Sequence, residues 1–230
     1  MGDWIAFWDS EHSIYVNARH RDVHYRAIAD DIAGYVPSPS ATVLDFGCGE
    51  ALHADRLAAA ANRRILVDAA PKVRAGLIAR FKGHQKIEVR SPQEVAALPD
   101  RAIDLVVMNS VAQYLSSSHL DALLVLFRRL LKSGGLILIG DIVPPHVSPA
   151  TDALALLNFA AANGFLWAAI AGLLRTVVSD YWWLRSTVGL TLYSQAEIEA
   201  RLEAAGFATS RTRRNIGHNQ ARMTFLARSR

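Results

Sequence analysis

Val43-Leu44-Asp45-Phe46-Gly47-Cys48-Gly49-Glu50-Ala51 is the stretch that decides the fold class. Residues 42–46 are short, apolar and partly β-branched, the pattern of a strand buried on both faces. Gly47 and Gly49 let the backbone turn sharply and approach a ligand with no Cβ in the way. Residues 51–61 are rich in Ala and Leu and read as a helix. Strand, glycine turn and helix start together make a cradle for a small-molecule cofactor in an open α/β sheet.

A second strand, Arg64-Ile65-Leu66-Val67-Asp68, ends in a carboxylate. It lies roughly 20 residues after the glycines, the offset at which an acidic side chain takes ribose hydroxyls in nucleoside-binding sheets. The glycine pattern departs from the dinucleotide fingerprint, because Leu52 stands where the third glycine would. A nicotinamide-dependent oxidoreductase is therefore the weaker alternative.

Outward from this unit, strands and helices alternate. Strands are expected near 42–46, 64–68, 86–90, 103–108 and 135–141, and helices near 50–61, 71–82, 92–97 and 117–132. Such alternation implies a parallel, doubly wound sheet whose ligands bind at the carboxyl ends of the strands. Asp45, Asp68, Ser91 and Asn109 all fall there and should converge. Near the end, Ser194 and Glu197 form a capping-box pattern, Gly206 stops the helix, and 207–213 and 223–227 read as strands.

Four ordered segments carry a family resemblance. Asp45-Phe46-Gly47-Cys48-Gly49 resembles the first motif of class I S-adenosylmethionine-dependent methyltransferases, and Asp68 resembles their ribose-binding acid. Residues 103–111 resemble the fourth strand and its loop, and residues 127–139 the helix, glycine turn and fifth strand. The match covers about residues 40–142. It implies a Rossmann-like, doubly wound seven-stranded sheet, mostly parallel with an antiparallel C-terminal edge strand, and S-adenosyl-L-methionine as cofactor. It also implies that Asp45 helps hold the cofactor's ammonium side, that the turn Gly47-Cys48-Gly49 approaches its amino-acid end, and that Ala69 packs at the adenine. Ser91, Pro92 and Gln93, with Glu94, occupy the region that often reads the adenine amino group, although the usual Asp is missing. Ser91-Pro92-Gln93-Glu94 reads equally well as a helix start. Asn109, Ser110 and Gln113 lie where cofactor and acceptor meet.

The sequence Asn109-Ser110-Val111-Ala112-Gln113-Tyr114 is not the Asn-Pro-Pro-Tyr type associated with nucleobase amines. Net charge is only +4, and the late arginines read as a solvated face, so no nucleic-acid partner is expected. The 230 residues suffice for one domain, with 1–36 as an N-terminal helical cap and 144–192 as an apolar lid insert. The single cysteine excludes an intramolecular disulfide or multi-cysteine metal site and suits a cytoplasmic setting. No signal peptide is visible.

Residues 153–174 contain no charge over a length that could span a bilayer. Strands on both sides of the run belong to one sheet, however, and Asn158, Asn163 and Gly164 interrupt it. The preferred reading is two apolar helices meeting near Asn163-Gly164 over the cofactor site, with Phe159, Phe165, Trp167, Trp182 and Trp183 lining a pocket for a small or lipid-like acceptor. Ordinary core, contact with a membrane surface and a homodimer interface are the other roles open to this segment.

Methyl transfer is an in-line displacement that gains from alignment and a dry site. A general base is needed only where the acceptor must lose a proton. His20 and His24, one turn apart on an expected helix, are candidate bases, and Tyr114 is a candidate acceptor contact; His146 and His218 complete the set of candidate bases. No third ligand accompanies the histidine pair, so no metal is expected. A non-catalytic cofactor-binding module of the same fold is the alternative from outside enzymology.

Overall fold

The computed structural model describes residues 2–10, 15–176 and 189–230. The described residues form a seven-stranded sheet with the order β3-β2-β1-β4-β5-β7-β6. The strands are β1 (Thr42–Phe46), β2 (Arg63–Val67), β3 (Ile87–Arg90), β4 (Ile103–Asn109), β5 (Leu131–Ile142), β6 (Phe207–Arg211) and β7 (Met223–Ser229). The first five pair in parallel, and β7 runs antiparallel to both β5 and β6. The last two strands thus close the sheet as an antiparallel pair. Strand order reverses at β1 and β4, the switch point at which ligands bind in such sheets.

The helices follow in chain order: α1 (Gly2–Trp8), α2 (Ala18–Ala33), α3 (Ala54–Ala60), α4 (Pro71–Arg80), α5 (Pro92–Ala96), α6 (Ser117–Leu130), α7 (Pro149–Asn163), α8 (Leu166–Thr176) and α9 (Gln195–Ala204). One core lies between the sheet and the α6 and α9 side, with Phe46, Met108, Phe127, Phe207 and Phe225 at its centre. The other face holds Ala29 and Ile32 of α2 against Val43, Leu105 and Leu138. The strand residues Leu44, Leu105 and Val106 are fully buried, which is why the apolar runs carry a clear strand signal.

Two boundaries differ from the sequence reading. Helix α3 begins at Ala54 rather than near residue 51, because Ala51 sits at φ +42° and holds the chain in a turn. Strand β5 begins at Leu131, ahead of Gly134-Gly135, since its pairing with β4 slips from Ile103↔Leu131 to Leu105↔Leu136 and absorbs the glycines as a bulge.

Among its described residues the insert forms two helices that meet at Gly164. Helix α7 is capped at its start by Ser148 and ends at Gly164, whose φ of +74° suits only glycine well. No helix among the described residues is long and apolar enough to cross a membrane.

Candidate active site

A cavity of about 1210 Å³ opens at the carboxyl ends of β1, β2, β4 and β5. Its first pole is the glycine turn. Gly47 and Gly49 adopt φ of +74° and +55°, and a Cβ on Gly49 would lie 2.8 Å from the Tyr25 hydroxyl. The Gly49 N–H donates to Asp68 Oδ2 at 3.0 Å, and the Ala70 N–H donates to Asp68 Oδ1 at 2.8 Å. Burial pushes the Asp68 carboxyl up, against these two donors and Arg74, which pull it down. Additional hydroxyl donors would stabilise the charged form further.

Asp45 is placed differently from Asp68. It is 6% exposed and paired with Arg64, itself 3% exposed, whose second nitrogen donates to the Ala54 carbonyl at 2.9 Å. Asp45 therefore anchors the turn between β1 and α3 while remaining on the cavity wall. Burial, reinforced by Asp45 and Asp68, raises Cys48 well above an ordinary thiol, which keeps it protonated.

The N-terminal helices cover this pole. The Glu50 N–H donates to the Tyr25 hydroxyl at 3.0 Å. Tyr25 is bonded in turn to Tyr15, and burial pushes Tyr25 up to about 12. Trp4 of α1 packs on Tyr114 with ring centroids 4.5 Å apart. Ala69, Val73, Pro92 and Gln93 line the far side.

The second pole lies toward β5 and the insert, walled by Val16, Ala153, Leu156, Leu173 and Ile216. His20 and His24 of α2 face it, with ring centroids 6.1 Å apart. Burial, with His218 adding to it, lowers His20 to about 4. Burial, then His218, His20 and Arg222, lowers His24 to about 3. Both rings are neutral at pH 7. At the strand ends, Ser110 Oγ donates to Asp141 Oδ2 at 2.8 Å, and Arg222 bridges Asp141 at 2.7 Å to Asp152 of α7 at 3.1 Å.

The cavity thus gathers Asp45, Gly47, Cys48, Gly49, Asp68, Ala69, Pro92, Gln93, Asn109, Ser110, Gln113, Tyr114, His20 and His24. Ser91 is not on its wall: it caps α5 in a complete capping box with Glu94. Trp167 does not line it either, being 82% exposed, because α8 turns Ala169 and Leu173 inward and leaves Trp167, Ile170 and Leu174 outside. Phe159 and Phe165 pack around the histidines, and Trp182 and Trp183 lie outside the described residues. The strand-end rule that selects Asp68 also selects Asp141, which follows Gly140 near the end of β5 and which the sequence reading passed over. Tyr25 and Arg222 carry no comparable local signal.

The sequence profile of the methyltransferase-domain family matches residues 18–211. The chain belongs to that family. Magnesium protoporphyrin IX methyltransferase from Synechocystis, solved with bound S-adenosylhomocysteine, shares 16% identity and a TM-score of 0.62 over 100% of this chain and 94% of its own. YcgJ from Bacillus subtilis gives 15% identity and a TM-score of 0.61 over 89% and 99% of the two chains. Human N-acetylserotonin methyltransferase, solved with S-adenosylmethionine, gives 15% and 0.57 over 90% and 52%. These likenesses are in fold. No curated protein sequence matches this one closely enough to count as a relative. The enzyme is an S-adenosylmethionine-dependent methyltransferase of class I, and the first pole of the cavity has parts that suit that cofactor: a left-handed glycine turn and the partly buried Asp68 carboxylate share its wall.

Proposed function

We propose that this methyltransferase acts on a small, largely apolar acceptor held in the second pole of the cavity. The observation that carries the reading is the continuity of the space: one cavity runs from Gly49 and Asp68 to the wall of Ala153, Leu156 and Leu173. S-adenosylmethionine supplies an electrophilic methyl carbon on a sulfonium. Asp68 would accept the ribose hydroxyls, a charge-assisted pair. The backbone of Gly47, Cys48 and Gly49 would meet the amino-acid end, and Ala69, Pro92 and Gln93 the adenine. Asn109, Ser110 and Gln113 would face the junction of cofactor and acceptor, with Tyr114 orienting the acceptor and His20 and His24 forming the chamber wall. The helices of the insert would shield the site from water, which favours a reaction in which charge is lost at sulfur.

Calorimetry with S-adenosylhomocysteine tests the cofactor assignments. Asp68→Ala should weaken binding by about 1.5–3 kcal/mol, the scale of hydrogen bonds to a charged group. A folded variant with unchanged affinity refutes the role of Asp68, and a wild type that binds NADH instead removes the whole reading.

The outer face of α8 supports a lipid-like acceptor reached at a membrane surface. Trp167, Ile170 and Leu174 stand exposed there. The protein should float with anionic liposomes, and Trp167→Ser should reduce the bound fraction. Wild type remaining wholly in the aqueous layer removes membrane contact.

A further inference from the structure

The connection between β6 and β7 is built unlike a surface turn. Asn215 is buried, and its Nδ2 donates to the carbonyls of Ile216 at 3.0 Å and Asn219 at 2.9 Å. Thr224 Oγ1 donates to Asn215 Oδ1 at 2.8 Å. The Gly217 N–H donates to Asp31 of α2 at 2.8 Å, and Asn219 Nδ2 donates to Asp152 of α7 at 2.7 Å. These bonds fix His218 on the cavity wall, stacked on Phe159 at 4.6 Å and edge-on to His24 at 5.8 Å.

We propose that His218 takes a proton from the methyl acceptor, and that the acceptor is an apolar molecule entering with that proton on a hydroxyl or N–H group, not a carboxylate. The proposal rests on the methyltransferase reading above. Of the four candidate bases His146 is not on the cavity wall, so His20, His24 and His218 compete for the role. One ring nitrogen of His20 is committed, since its Nδ1 accepts from the Val16 N–H at 3.3 Å. His24 lies among His20, His218 and Arg222, all of which oppose a positive charge on it. His218 is the one of the three whose own loop binds the carboxylates: Asn219 Nδ2 donates to Asp152 Oδ1, and Asn215 Nδ2 donates to Asp141 Oδ1 at 3.3 Å. Burial disfavours its charged form most, Arg222 adds to that, and Asp141 at the end of β5 and Asp152 on α7 oppose both. A base in a dry chamber must hold a proton during the reaction, and a nearby carboxylate lowers that cost.

Asp141 ties His218 to the chemistry. It accepts from Ser110 Oγ at 2.8 Å, immediately beyond β4. Ser110 and Asp141 both hold left-handed backbone, φ +58° and +60°, in non-glycine residues. Strain of this kind persists where surrounding bonds impose it, and it clusters at functional sites. In the transfer, the acceptor's lone pair forms the bond to the methyl carbon and the carbon–sulfur pair stays on sulfur. The acceptor's proton passes to a ring nitrogen of His218 and from there to water. A carboxylate acceptor would need no base.

The test uses the full chain labelled with 13C at histidine Cε1 and saturated with S-adenosylhomocysteine. His218→Gln, His24→Gln and His20→Gln assign the signals. The His218 signal should titrate at higher pH than those of His20 and His24. Added 2-naphthol should shift it, and 2-naphthoate at the same concentration should not. His218 titrating below His24, or responding equally to 2-naphthoate, overturns the proposal. Failure of wild type to bind S-adenosylhomocysteine overturns the methyltransferase reading instead; binding without the His218 responses overturns only this one.

Discussion

Acid should unfold this protein through the histidines of the cavity's second pole, well before its carboxylates titrate. His20 is lowered from 6.5 to about 4 and His24 to about 3, both chiefly by burial. Below pH 6.5 the unfolded chain binds protons at these positions that the native chain refuses. Stability therefore rises with pH in this window: it is fully present above 6.5 and is lost as pH falls toward the folded values. At pH 5 each histidine has crossed about 1.5 units in the unfolded state alone, which costs about 2 kcal/mol at 1.36 kcal/mol per unit. Together they remove about 4 kcal/mol between pH 8 and pH 5. His218 is lowered as well and acts in the same direction.

Other groups leave this window to the histidines. Glu88, Glu94 and Glu197 are lowered carboxylates, whose contributions begin to fail only as pH falls toward the ordinary glutamate value of 4.5. Asp68 is raised by burial, so its protonation on acidification works in the opposite direction. Urea unfolding followed by circular dichroism at pH 8 and pH 5 reads the effect. With a slope of about 2–3 kcal/mol per molar urea, the midpoint should fall by about 1.3–2 M. His20→Gln, which cannot take up a proton, should remove roughly half of that fall. Equal wild-type midpoints at the two pH values would mean that the rings are solvated and charge freely, and the packed arrangement of His20, His24, Phe159 and Phe165 would then be wrong.

Two further substitutions probe the two poles. Gly49→Ala places a methyl 2.8 Å from the Tyr25 hydroxyl at a φ of +55°, so it should lower stability by at least about 1 kcal/mol and weaken S-adenosylhomocysteine in calorimetry; a variant unchanged in both dispenses with the glycine requirement. Arg222→Met removes the guanidinium between Asp141 and Asp152 and should cost on the order of 3 kcal/mol in urea unfolding at pH 8, where a loss below about 1 kcal/mol would show that the bridge is solvated.

The pole proposed for the cofactor is legible in the sequence because its information is local. Asp45, Gly47 and Gly49 follow one another closely on one strand and its turn, and Asp68 ends the adjacent parallel strand. A buried strand reads as an apolar run, and its carboxyl end follows directly from it. What the pattern does not disclose is the division of labour. Two carboxylates at equivalent strand ends look alike, yet Arg64 on the neighbouring strand binds Asp45 and leaves Asp68 to backbone donors. The helix phase of the insert is also hidden: in an uncharged run there is no polar face to show that Phe165 and Leu173 turn inward while Trp167 turns out.

The pole proposed for the acceptor is assembled from parts far apart in the chain. Ser110, Asp141, Asp152, His218 and Arg222 come from four separate segments, and each looks ordinary in its own neighbourhood: a strand-end serine, an acid in the first turn of a helix, an arginine among late arginines. Their meeting depends on β7 entering the sheet beside β5, which brings the loop after β6 over the ends of β4 and β5. That placement gives the C-terminal pair a purpose beyond closing the sheet. An antiparallel strand next to β5 returns its preceding loop to the carboxyl ends of the parallel strands, where a further parallel strand would have carried it to the opposite edge. The topology that delivers the cofactor turn through β1 thus delivers His218 and Arg222 through β7, and the two poles of one cavity are filled from distant parts of the sequence.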